Sequence, residues 1–197
     1  MRDYFHSCYG LISLAAFISL YLQYQGLYGP NGLQPIDNFI TYVSLHHLPQ
    51  DVITPLPFYE KFFHIPSLLI YAHDLHLRYD IFGEFLLILG IISSSLISLG
   101  FHSFLLFFIS WITYLSLFIF GQAFLNFQWD MLLLEVGFLT IFSSFFVLKK
   151  QMLKSIHWCY RFLVWKLMFM AGVVKLQANC PTWLSLTALE VTSSPTS

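Results

Sequence analysis

An all-α bundle of about five membrane-spanning helices is the fold this sequence predicts, and three observations carry the prediction. Hydrophobic residues make up 57% of the chain and charged residues only 10%, against about a quarter charged in ordinary soluble domains. The apolar residues come in long uncharged runs: between Glu84 and Asp130 there is no Lys, Arg, Asp or Glu, a length that fits two spans of about 20 residues each. The remaining charges gather between runs, most densely at Lys149, Lys150 and Lys154.

The first span is predicted over Phe5–Tyr24, with Tyr21 and Tyr24 suited to an interfacial aromatic belt. It reads as a signal anchor, because there is little basic leading region and no clear small-residue cleavage site before Gln23. From Gln25 to Asp80 follows a long polar and aromatic loop, where Pro30, Pro35, Pro49, Pro55, Pro57 and Pro66 forbid one continuous helix. Gly100 and His102 then mark the turn between a second span, Ile81–Leu99, and a third, Ser103–Phe124. The fourth is expected over Asp130–Leu148 and the fifth over Ile156–Leu176.

Basic residues in short loops set orientation, so the Lys149–Lys154 loop is expected in the cytosol. Counting back through alternate crossings puts the Gly100 turn and the N-terminus, with Arg2, on that same side. The Gln25–Asp80 loop, the Phe124–Trp129 turn and the segment after Leu176 then face the lumen. No Asn-x-Ser/Thr sequon is present to report on this by glycosylation.

Carboxylates inside hydrocarbon are costly and need a partner, a wet cavity or a task. Asp130 and Glu135 therefore head a list of candidate polar residues at the lumenal ends of the spans, with Glu84, Gln122, Asn126, Lys166 and Lys175. Asp130 at a helix start can cap free N–H groups and favour the dipole. Glu135 lies five residues on, about 140° around the helix, and Lys175 is its expected counter-charge by depth. Lys166, nearer the membrane middle, either snorkels toward water or joins Glu135. Small residues that let helices approach are Gly90, Ser94 and Ser98 on the second span, Gly137 on the fourth, and Ala171 and Gly172 on the fifth.

A formal net charge of −1 and the lack of any basic patch exclude a nucleic-acid partner. Cys8 and Cys159 read as buried thiols and Cys180 as a loop residue, with no pair at zinc-ligand spacing. His46–His47 and His73 with His76 are more simply solvated or interfacial than metal-binding. No nucleophile–base pair, phosphate-binding glycine loop or other cofactor signature is present, so no catalytic, cofactor or metal residue is assigned.

Three blocks carry a family resemblance. Phe124–Leu139, FLNFQWDMLLLEVGFL, resembles a signature of the lipase maturation factors, polytopic proteins of the endoplasmic reticulum. Lys166–Leu189, KLMFMAGVVKLQANCPTWLSLTAL, is similar to a second block of that family, with Lys166 where Arg is usual and Ala171 where Ser is usual. Gly26–Pro35, GLYGPNGLQP, resembles the loop after the first membrane helix, most closely in the family's second branch.

The resemblance implies a membrane domain over residues 1–190 that sits in the endoplasmic reticulum and helps secreted homodimeric lipases fold or assemble. It also implies a divergent, disordered tail at 191–197 and a form that lacks the family's large lumenal part, where client contact is expected. Two other classes compete. One is a membrane enzyme distantly similar to vitamin K-dependent carboxylases with Lys166 as base, although Arg at that family position argues against it. The other is a non-catalytic assembly subunit or pore, which needs polar residues along a whole path rather than at one side.

Overall fold

The computed structural model describes residues 2–40, 62, 65–72, 74–145, 150–179, 181–184 and 187. Among these the regular structure is all helical. Helix α1 is Arg2–Tyr28, α2 is Tyr79–Ser98, α3 is Phe104–Phe120, α4 is the single turn Gln122–Leu125, α5 is Gln128–Phe145, α6 is Lys150–Gln177 and α7 is Pro181–Leu184. The five long helices coincide with the five predicted runs. Their ends differ where local chemistry overrides hydropathy.

Helix α1 continues four residues past Tyr24 because nothing breaks it before Gly29 and Pro30. Helix α3 stops at Phe120 rather than Phe124, since Gly121 closes it and the chain restarts as α4. Gly100 sits at φ 103°, a left-handed conformation that opens the turn between α2 and α3 and that side chains disfavour. Two helices, Asp3–Tyr28 and Tyr79–Ser98, are long and apolar enough to cross a membrane, and Phe104–Phe120 is a shorter apolar helix.

The register of α1 on α2 is written in glycine. Gly10 lies under Ile97 and Ser98, Phe17 under Gly90, and Tyr24 under Gly83. These contacts recur every seven residues in opposite directions, so the two helices run antiparallel with a coiled-coil repeat. A Cβ added at Gly90 would lie 2.3 Å from the Phe17 ring, and one at Gly83 would lie 1.8 Å from the Tyr24 hydroxyl. The stripe expected at Gly90, Ser94 and Ser98 thus splits by partner. Gly90 takes the Phe17 knob, Ser94 hydrogen-bonds Ser110 of α3 at 3.1 Å, and the Ser98 hydroxyl donates to the Ser95 carbonyl of its own helix at 2.7 Å.

The remaining helices continue up and down. Gly137 of α5 packs where a Cβ would meet the Tyr9 hydroxyl at 2.5 Å and Trp111 at 3.0 Å. Trp111 Nε1 donates to the Leu134 carbonyl at 3.0 Å, fastening α3 to α5. Helix α6 packs chiefly on α5 and stands at the side of the bundle. Ala171 there is half-buried, whereas a Cβ at Gly172 would meet nothing within 4 Å, because that face of α6 has no helix against it among the described residues.

The larger core joins Phe17, Tyr24, Leu87, Tyr114, Leu117 and Phe120. Part of the region expected as a polar loop belongs to it. Ile36 and Ile40 of the helical segment 36–40, with Ile65 and Leu69, are buried in this core. The 3-10 turn Leu68–Ala72 is pinned to α3, where Ser67 Oγ donates to the Ser116 carbonyl at 3.1 Å and the Leu68 N–H donates to Ser116 Oγ at 3.0 Å. Prolines exclude one long helix, as expected, but spaced isoleucines and leucines still draw the segment inward. Cys8 and Cys159, expected to be buried, are exposed on the outside of α1 and α6. Cys180 lies outside the described residues.

Candidate functional site

The contacts sort the polar residues to two ends. One end gathers the start of α1, the α2–α3 turn and the facing ends of α5 and α6: Ser7 bonds His102 at 3.1 Å, His6 bonds Ser143 at 2.7 Å, and the Phe5 ring lies 4.8 Å from that of Tyr160. The opposite end gathers the end of α1, the start of α2 and the α3–α5 link. There the Tyr28 hydroxyl donates to the Gly121 carbonyl at 2.7 Å, and the Gln25 amide donates to Glu84.

At this second end Asp130 is buried in the first turn of α5. Its carboxylate accepts a hydrogen bond from the Tyr114 hydroxyl at 2.7 Å and another from the backbone of Phe127, just before the helix. It therefore caps its own helix, as an acid three residues in is placed to do, and ties α5 to α3. Beside it lies a cleft of about 430 Å³ bounded by Ser19 and Gln23 of α1, Tyr114 of α3, and Phe127, Trp129 and Asp130. The cleft offers a carboxylate, a phenol, a hydroxyl and an amide on aromatic walls, groups that bind and orient a polar ligand edge.

Glu135 turns away from that cleft, as the 140° offset requires, and faces α6. Its partner is Lys166, not the expected Lys175. Depth reckoned from the predicted helix ends favours the wrong lysine: the two are nine residues apart, about 13.5 Å along α6 and about 180° around it, and only the face with Lys166 meets α5 beside Glu135. Leu163, Lys166, Leu167 and Met170 form that face and line a slit of about 80 Å³ against α5. Lys175 instead places its ammonium 4.3 Å from the centre of the Trp183 ring, a cation–π contact to α7.

The other expected members do not converge on either pair. Glu84 is half-buried and engaged by Gln25, and Asn126 is exposed at the link between α4 and α5. Gln122 opens α4, and its side chain lies outside the described residues. The carboxylates at this end reach different neighbouring helices, Glu84 toward α1, Asp130 toward α3 and Glu135 toward α6. Arg78 and Asp80, unremarked in the sequence, form a two-point contact at 3.2 and 2.8 Å that anchors the buried Asp80 at the start of α2. His46, His47 and His73 lie outside the described residues, and His76 is exposed at φ 55°.

The first end was missed. His6 is buried, His102 is half-buried, and with Asp3 they bring three possible metal-ligand atoms within 4.8 Å of one another. A histidine in the opening turn of an apolar helix and another at a turn carry no motif. Only the antiparallel pairing of α1 and α2, which puts residue 102 beside the start of the chain, could have exposed them.

Long apolar helices with Phe85, Leu105 and Trp165 outward, and Ser, His, Asp and Tyr bonded between them, define a polytopic integral membrane protein. The chain matches the model of the lipase maturation factor transmembrane domain over residues 1–193. It belongs to the lipase maturation factor family.

Among its relatives, lipase maturation factor 2 of Xenopus laevis is 40% identical over 191 residues, which are 90% of this chain and 25% of that protein. Lipase maturation factor 2 of Gallus gallus is 36% identical, covering 95% of this chain and 26% of that protein. Lipase maturation factor 1 of Mus musculus is 28% identical, covering 91% of this chain and 31% of that protein. The chain thus spans about a quarter of the length of the type 2 relatives it matches. No solved structure matches it.

Proposed function

We propose that the chain works in the endoplasmic-reticulum membrane as the membrane domain of a factor that assists the folding or assembly of secreted homodimeric lipases. The observation that carries this reading is the family match across residues 1–193. In this reading the five long helices each cross the bilayer, the N-terminus and the α5–α6 link face the cytosol, and the Asp130 end faces the lumen. The basic cluster of Lys149 in that link with Lys150 and Lys154, which lie in the first turns of α6 and not in the expected loop, supports that orientation.

The role is non-catalytic. Asp130 and Glu135 each engage a side chain on a neighbouring helix, the arrangement of residues that hold a bundle together. Lys166, the one base an enzyme reading could use, is held by Glu135 instead of standing alone in an apolar pocket, where a lysine base is made.

Depleting the protein from secretory cells that make it tests the proposal. Secretion of active dimeric lipase should fall while lipase synthesis is unchanged, and fractionation should find the protein with endoplasmic-reticulum membranes. Unaltered lipase secretion after depletion, or residence in another membrane, overturns it.

A further inference from the structure

We propose that Asp3, His6 and His102 form a binding site for one divalent transition-metal cation of the Zn²⁺ class, at the end of the bundle opposite Asp130. The three residues offer one carboxylate and two imidazoles, a donor set that suits Zn²⁺ and leaves a fourth position for water. Their ligand atoms lie within 4.8 Å of one another, and His102 Nδ1 is 3.9 Å from Asp3 Oδ1. Donors around a tetrahedral Zn²⁺ sit about 3.3 Å apart for bonds of about 2.0 Å. Closure of about 0.6 Å is required between those two and of at most about 1.5 Å between any two of the three, and the Asp3 side chain is 68% exposed.

The surroundings are arranged as metal sites arrange theirs. Each imidazole has its Nε2 within hydrogen-bond distance of a serine hydroxyl: His6 with Ser143 at 2.7 Å and His102 with Ser7 at 3.1 Å. Such bonds fix the tautomer and ring orientation of a ligating histidine, here assigning Nδ1 of both rings to the metal. The rings are further set by aromatic contacts, with His6 5.3 Å from His102 and 5.0 Å from Phe107 between ring centres. Asp3 and His6 stand one turn apart on α1, so one face of that helix supplies two ligands and the α2–α3 turn the third. The bound ion clamps the start of α1 to the turn at Gly100 and, through Ser143, to α5.

This site rests on neither the lipase reading nor the orientation of the chain. The test is metal stoichiometry on the whole chain purified in detergent, stripped with chelator and re-equilibrated with Zn²⁺ or Co²⁺ alone. About one Zn²⁺ per chain is expected, with Co²⁺ giving the intense visible bands of a four-coordinate site. His102→Asn, at the partly exposed ligand, should abolish stoichiometric binding while the chain still elutes as the native species. His6→Gln should do the same if it folds. Ser143→Ala should weaken Zn²⁺ binding by about tenfold or more, the effect of losing an outer partner, and His157→Ala on α6 should leave it unchanged. Absence of stoichiometric metal in the unsubstituted chain, or retention of it in His102→Asn, overturns the proposal.

Discussion

Glu135 and Lys166 show what a charge inside a membrane segment asks of its neighbours. Both side chains are about a third exposed at the α5–α6 seam, so the pair is worth less than a fully buried one, and we expect each single loss to cost roughly 1–2 kcal/mol. Glu135→Gln and Lys166→Met should each lower the melting temperature in detergent, and the double substitution should recover part of the loss. Strict additivity would show that the two do not interact. Lys175→Met should leave that cycle untouched, since Lys175 rests on Trp183.

Asp130 is held more deeply. Tyr114→Phe removes a hydrogen bond to a buried carboxylate and should destabilise the chain by about 1.5–3 kcal/mol in the same assay; a change within error would mean that the Phe127 backbone alone holds Asp130. The acids were legible because they interrupt apolar runs. Tyr114, Ser143 and His6 were not, because tyrosines, serines and single histidines are ordinary in such runs and their partners lie 16 to 137 residues away.

At the scale of elements, glycine sets the spacing of α1 and α2. Gly90→Ala drives a methyl group into the Phe17 ring and should cost about 1–3 kcal/mol, the usual effect of overpacking. Gly172→Ala, on the open face of α6, should be neutral or stabilise by up to about 1 kcal/mol through helix propensity. Equal effects of the two changes on thermal stability would refute the knob-into-glycine packing. The sequence showed that small residues cluster on the second span, and they serve different partners: Gly90 and Ser98 meet α1, and Ser94 bonds α3. The contacting set, Gly83, Gly90 and Ile97, follows a seven-residue rhythm that becomes visible only beside Gly10, Phe17 and Tyr24 of α1.

At the scale of the whole molecule, hydropathy located the five long helices among the described residues, since twenty-residue uncharged runs have few other uses. It did not locate the inward return of 65–72, because a short segment with two prolines' worth of interruption nearby reads as loop until its Ile65 and Leu69 are seen in the core. The alternation of the helices also follows from the contacts: α1 is antiparallel to α2 and α5, and α3 runs with α1, so that Phe17 meets Tyr114 and Tyr28 meets Gly121. An up-and-down bundle of this kind has two ends, and in the orientation proposed above the end with Ser155 faces the cytosol and the end with Asn31 the lumen. The direct measurement is labelling of Ser155→Cys and Asn31→Cys by a membrane-impermeant maleimide in sealed microsomes. The background must be free of Cys8, Cys159 and Cys180. Ser155→Cys should react in intact vesicles and Asn31→Cys only after permeabilisation; reaction of both from the same side would contradict the account.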